Sequence, residues 1–242
     1  MKNITLGTSL AALFLLCLLP ACKGYDGTKA KEDRNAWLTS LSDSISLLTK
    51  DRQQDSLRLE ELHQRVGETI ADFTTVSNPR EVEEYYILKS FRSAYPLNST
   101  GVAARVLKSE GLELVAALSG ARFNTLRAVS GNESAETDRV PADQALNYTA
   151  GGLTTVAFSG AKADSVAMLI SRNAASSVTL QYLNDGKIAK SISLTDLQKQ
   201  WISQTWQLCS MQKEIHSLEN SMLLSGRKLQ ILNLTLQRQS QE

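Results

Sequence analysis

Two stretches of this chain repeat apolar residues in unbroken alternating steps of three and four. That pattern restricts what each stretch can become. The first runs Leu38, Leu41, Ile45, Leu48, Arg52, Asp55, Leu59, Leu62, Val66. The second runs Leu197, Trp201, Gln204, Leu208, Met211, Ile215, Leu218, Met222, Ser225, Leu229, Leu232, Leu236. Residues three and four apart share one face of an α-helix, so each stretch predicts a long helix with an apolar seam of the coiled-coil kind. Arg52 and Asp55 interrupt the first seam. Charges in a seam cost stability and can fix register and partner; equally, they can mark a place where the seam splays. Thr195 with Gln198 three residues on forms a capping-box pattern at the start of the second helix. Gly226 lies just off the second seam and weakens helix propensity there.

The segment between the heptads has another rhythm. Short apolar runs at 102–108, 112–118, 123–129 and 153–158 are bounded by Ser109-Glu110-Gly111, Ser119-Gly120, Ser130-Gly131-Asn132, Gly151-Gly152 and Ser159-Gly160. Runs of this length between turn residues predict a compact antiparallel β structure. Asn184-Asp185-Gly186, between Val178–Leu183 and Lys187–Leu194, is a strong hairpin signal. Residues 161–173 read as a helix, with Val166, Leu169 and Ile170 on one face. Residues 85–93 fit strand or helix, and Tyr85, Tyr86, Ile87 and Phe91 tilt the reading to strand.

The amino-terminal end reads as an address. Lys2 supplies a short positive region and residues 10–19 are almost wholly apolar. Ten such residues are too few for a membrane span, which needs about 20, but suit the apolar part of a signal peptide. Leu19-Pro20-Ala21-Cys22 then resembles the bacterial lipobox. The resemblance implies a diacylglyceryl group on the Cys22 thiol, cleavage before Cys22 and acylation of the new amino terminus. The alternative is an ordinary secretory signal cut after Ala21. Of three cysteines, the lipoprotein reading removes Cys17 and lipidates Cys22, leaving Cys209, so no disulfide framework forms within one mature chain.

Lys2 is the only charge before Cys22, so the remainder carries 25 basic and 25 acidic residues. That balance offers no general attraction to nucleic acid or to anionic lipid. The two histidines, His63 and His216, each flank a seam and lack a cysteine or second histidine at ligand spacing, so no metal site is read. No G-x-S-x-G, phosphate-binding loop or G-x-G-x-x-G is present; Ser225-Gly226-Arg227-Lys228 matches a bare S-x-x-K string without its companion motifs. Neighbouring acids such as Glu60-Glu61 and Glu83-Glu84 do not make the two sides of a hydrolytic cleft. No catalytic residues and no cofactor are therefore expected.

The stretch 70–80, with residues 95–105, Asp143-Gln144-Ala145-Leu146-Asn147-Tyr148, Phe158-Ser159-Gly160-Ala161 and Ala163-Asp164-Ser165, resembles an uncharacterised family of Bacteroidota lipoproteins over about residues 33–235. The resemblance implies an address and a domain order, and no site. Asp43-Ser44-Ile45, Asp55-Ser56-Leu57 and Asp164-Ser165-Val166 resemble the short O-glycosylation sites of the same phylum.

These readings give an α+β chain in which an antiparallel β-rich head is inserted between two long heptad helices. The expected divisions are a signal peptide (1–21), a lipidated flexible tether (22–34), a first coiled-coil helix (35–77), the head (78–194) and a second coiled-coil helix (195–242). Intrachain antiparallel pairing into a stalk, with Leu62 near Gln204 or Leu208 and Leu38 near Leu229, is the leading arrangement; a parallel homo-oligomer is the other. The expected partners are a membrane through Cys22, and an envelope protein or a second copy of the chain, with no nucleic acid. The expected location is the cell envelope, at the outer membrane rather than the inner. A scaffold or adaptor is the leading functional expectation. A surface carbohydrate- or peptide-binding module is the second, which an exposed aromatic cluster or open cleft on the head would favour. The third, an enzyme with an unrecognised site, would need convergent ionisable groups in one pocket of the head.

Overall fold

The computed structural model describes residues 27–78, 83–109, 111–143 and 145–240. The fold is α+β. A long helix α1 (Gly27–Ile70) precedes strands β1 (Phe73–Val76), β2 (Tyr85–Leu88), β3 (Gly101–Leu107), β4 (Leu112–Ser119), β5 (Thr125–Ser130), β6 (Glu133–Glu136), β7 (Asn147–Ala150) and β8 (Leu153–Ser159). Helix α2 (Gly160–Arg172), strands β9 (Thr179–Asn184) and β10 (Lys187–Ser193) and a second long helix α3 (Asp196–Ser240) complete the chain. The described residues divide into two compact units: those within 50–228 form one, and 27–49 with 229–240 form the other. Among the described residues no helix is long and apolar enough to cross a membrane.

In the larger unit the strands form two antiparallel sheets, ordered β1-β2-β3-β4-β8-β7 and β10-β9-β5-β6. Strands β3 and β4 are buried along nearly their whole length, so both of their faces are covered. Successive strand residues point to opposite faces. One face of this pair therefore carries Val102, Ala104, Val106, Leu112, Leu114 and Ala116, all within one core shared with Leu126, Leu180, Tyr182 and α2 residues Val166 and Ile170. The Tyr182 hydroxyl ties the sheets together by donating to the Gly101 carbonyl (2.8 Å), and Phe123 lies edge-on to Tyr182 at 5.0 Å. Burial pushes the Tyr182 hydroxyl well above the usual tyrosine range, which keeps it a donor.

Local sequence explains the connections. Asp185 (φ 50°) and Gly186 (φ 79°) close the β9–β10 hairpin in the left-handed region a two-residue turn demands. The capping box forms as read: the Thr195 amide donates to Gln198 Oε1 (3.0 Å) and the Gln198 amide to Thr195 Oγ1 (3.2 Å). Lys199, almost fully buried, donates to the Ser176 carbonyl (2.7 Å) and pairs with Asp196 (2.9 Å), fixing the start of α3 to the connection after α2.

Three expectations need correction. The flexible tether was drawn to Arg34, but α1 begins at Gly27, because Lys31, Glu32 and Arg34 are good helix formers and no proline intervenes. The first helix was drawn to residue 77, but it stops at Ile70, and the β-branched run Thr74-Thr75-Val76 joins the sheet opposite Ile87, Tyr86 and Tyr85. Residues 85–93 are a strand only as far as Leu88; Lys89–Ala94 turns as a 3-10 segment that buries Phe91.

The expected helix register also shifts. Leu62 packs with Met211 and Ile215, about one turn beyond Leu208. The first turns of α3 are taken by the head: Ile202, Leu208 and Cys209 lie in its core and Trp201 packs on Phe91 at 4.5 Å with the rings tilted by 54°. Contact with α1 is left to the residues that follow. Arg58 pairs with Glu214 (2.8 Å), and Ser221 donates to Asp55 (3.3 Å). Arg52 lies over Gly226, its guanidinium 3.1 Å from where a Cβ would stand. The two charged interruptions of the first seam thus face the small residues Ser221 and Gly226.

Leu62 is fully buried at this joint, whereas Leu57 is 69% exposed. Truncating a buried leucine costs about 2–5 kcal/mol, and a surface change lies within about 0.5 kcal/mol. Urea unfolding should therefore place Leu62→Ala far below the parent chain and Leu57→Ala close to it. Equal midpoints for the two variants would show that α1 does not dock here.

Candidate functional site

Side chains of differing chemistry converge on the surface of the head at an open cleft of about 470 Å³, lined by Arg122, Ala142, Asp143, Asn147, Tyr148 and Thr149. The edge strand β7 supplies three of these residues. Asp143 shapes the approach to that strand. Its Oδ1 accepts the backbone amides of Ala145 (2.9 Å), Leu146 (2.6 Å) and Asn147 (3.0 Å), while its own amide donates to the Asn147 carbonyl (2.8 Å). This is the aspartate turn that short acidic side chains favour. Asn147 is buried and donates to the Val140 carbonyl (2.8 Å) and more weakly to that of Phe123 (3.4 Å).

Tyr148 stands 45% exposed beside this turn. Arg122 contributes an exposed cation. With Asp143 Oδ1 committed to the turn, the other carboxylate oxygen, the guanidinium and the tyrosine ring are left to meet a polar ligand. No other aromatic of the head is exposed among the described residues: Tyr85, Phe91, Phe123, Phe158 and Tyr182 are buried, and Tyr86 and Tyr95 half-buried. The aromatic residues chiefly pack the head.

A second polar constellation is internal, and the sequence reading missed it. Arg105 on β3 stands directly opposite Glu113 on β4, and the guanidinium meets one carboxylate oxygen at 2.5 Å. Arg105 also donates to the Tyr95 hydroxyl (2.9 Å) and lies 4.1 Å over the Tyr85 ring. Both members of the pair are less than 10% exposed. Each is an isolated charge within an apolar run, and only the strand register makes them partners.

The remaining sequence candidates fall as follows. Cys22 lies outside the described residues. Along α1, Leu41 and Leu62 are buried, Leu38, Ile45, Leu48, Asp55, Leu59 and Val66 half-buried, and Arg52 exposed. Along α3, Leu208, Met211, Ile215 and Leu229 are buried; Trp201, Gln204, Leu218, Met222, Ser225, Leu232 and Leu236 are half-buried; Leu197 is exposed. Glu219 lies between the two histidines, 4.0 Å from His63 and 3.3 Å from His216, and no group that could hold a metal ion occurs among the described residues. Cys209 is a buried thiol, its pKa raised by desolvation. Ser44 and Ser165 donate their hydroxyls to carbonyls one turn back, those of Ser40 and Ala161. Comparison of the chain with protein-family models, curated proteins and solved structures finds no match.

Two measurements test these sites. The amides of Asn147 and Leu146, then Ala145, hold the Asp143 carboxyl below its ordinary value of 3.8. A depressed carboxyl contributes order above the unfolded value and loses it as pH falls through the folded one. An NMR titration of the Asn147 amide should accordingly show a midpoint below 3.8, absent in Asp143→Asn. A midpoint at or above 3.8 would contradict the turn. For the internal pair, Arg105→Met strands a buried carboxylate and should cost about 3–5 kcal/mol, while Arg105→Met with Glu113→Leu should recover most of it. A double variant no more stable than the single would mean that the pair is not the source of the cost.

Proposed function

We propose that this chain is a non-enzymatic lipoprotein of the cell envelope, held to a membrane through lipidated Cys22, and that it acts as a scaffold or adaptor. In this reading the two heptad helices pair as a coiled coil and carry the β-rich head to a partner protein. The outer membrane is the proposed site. The observation that carries the scaffold reading is the apolar joint between helices and head. Val66 touches both the Leu62–Met211–Ile215 cluster and the main core, and Ile70 packs on that core as well. A packed joint of this kind suits a chain that positions a domain, whereas a binding module on a tether does not need one. The lipobox-like Leu19-Pro20-Ala21-Cys22 supports the address. Acyl chains contribute about 0.8 kcal/mol per buried methylene, so two or three give stable anchoring.

A second reading is favoured by one observation, the open cleft beside Tyr148. It makes the head a carbohydrate- or peptide-binding module, with Tyr148 as a stacking face and Arg122 as a polar contact. Tyr148→Ala would abolish binding to a glycan or peptide array in that case and leave the scaffold role intact.

The address is tested by fractionating cells that express a tagged chain with Cys22→Ser. The variant should leave the membrane pellet for the soluble fraction. A variant that still pelleted and resisted salt extraction would overturn the lipid anchor.

A further inference from the structure

The two long helices change character along their length. In α1, residues 50–68 carry nine charged side chains, whereas residues 35–49 carry only Asp43. In α3, residues 229–237 carry none. A helix in water ordinarily sets charge on the positions outside its apolar stripe. Here those positions hold hydroxyls and large apolar groups.

Residues 27–49 and 229–240 form the smaller of the two units. Within it Arg34 donates to the Gln239 backbone carbonyl, and the seam residues Leu41 and Leu229 are buried. A second line of steps three, four and three runs along α1 outside that seam: Trp37, Ser40, Ser44, Leu47. Trp37 is 45% and Leu47 61% exposed, and on α3 Ile231 is 64% and Leu234 49% exposed, about one turn apart. A shallow groove along the α1 line is lined by Ala36, Thr39, Ser40, Asp43, Ser44 and Leu47. Trp37 and Leu47 therefore stand in water beside small residues of α1, which allow another helix to come close, and Ile231 and Leu234 stand in water on α3.

We propose that the charge-poor stretches 35–49 and 229–237 of these helices are a self-association surface, on which a second copy of the chain packs the same α1 and α3 segments to form a four-helix bundle. Charge selects the occupant. In a two-fold pairing each patch meets itself, so a patch with many charges of one sign would repel its copy. Residues 35–49 and 229–237 avoid that with a single carboxylate between them. A membrane surface would favour a face rich in lysine and arginine, and these segments have neither. The area fits a reversible contact. Helical segments of 15 and 9 residues extend about 22 Å and 14 Å, and two such faces bury on the order of 1,000 Å², near the lower bound for a specific interface. The inference does not rest on the lipid anchor: a chain released by Cys22→Ser would still pair.

Sedimentation of the full chain in mild detergent, over about 1–100 μM, tests this against Leu47→Glu and Ile231→Glu. The parent chain should reach twice its monomer mass. Each glutamate should raise the dissociation constant at least about tenfold, a change of about 1.4 kcal/mol. Circular dichroism should show unchanged helix, because both positions are exposed; Leu47→Ser serves if a glutamate variant misfolds. A chain that stays monomeric throughout, or a dimer that both glutamates leave intact, would overturn the proposal. So would a monomeric Cys22→Ser chain that floats with phosphatidylcholine vesicles and loses flotation with Leu47→Glu, since the face would then lie on lipid.

Discussion

The burial of β3 and β4 on both faces sets the terms for the rest of the head. A strand pair with one solvated face alternates apolar and polar residues, whereas a pair covered on both sides is apolar almost throughout. Val102-Ala103-Ala104 and Leu114-Val115-Ala116-Ala117-Leu118 are of the second kind, and a bare sheet could not keep them from water. Something must pack on each side. The second sheet and α2 meet one side through Leu126, Leu180, Tyr182, Val166 and Ile170. On the other, Tyr85 and Tyr95 close over the Arg105–Glu113 pair. That pair belongs to the same constraint. A charge taken out of water must find its partner with good geometry, and the cross-strand register delivers it.

Helix α3 joins this core to the Leu62 region of α1 because its surface is used twice. Its first turns put Ile202, Leu208 and Cys209 into the head and Trp201 against Phe91; a turn later Met211 and Ile215 turn to Leu62. Trp201, Leu208, Met211 and Ile215 share the seam period, while Ile202 and Cys209 lie one position off it and widen the face turned to the head. The period alone could not tell which stretch faced the head and which faced α1. This is why the register read from the heptads was short by about one turn.

Much of the architecture was legible for the same reason. Long periods survive local irregularity, so both helices were evident from their seams, and Asn184-Asp185-Gly186 announced its hairpin through the positive φ angles that a two-residue turn requires. What escaped was short or polar. Strands β1, β6 and β7 have four residues each, too few for a period to declare itself. The Asp143 turn rests on hydrogen bonds to backbone amides, for which a lone aspartate gives little signal. Arg105 and Glu113 lie eight residues apart in sequence and became partners only once a hairpin register was known. The cleft beside Tyr148 was hidden for a related reason: the edge position of β7 and the path of the preceding loop come from sheet order, which no local pattern encodes.

The buried polar groups of the head bear on what it can do. Asn147, Lys199, Arg105 and Tyr182 each hold a backbone carbonyl or a charged or hydroxyl partner. Their bonds run to loops or to neighbouring strands, and leaving any of them unmade would cost the full desolvation of the group. Such groups tie the loops and strands they join. At the cleft beside Tyr148, Asp143 uses one oxygen to accept three amides of its own turn. These bonds hold the loop before β7 and the strands beneath it in one shape.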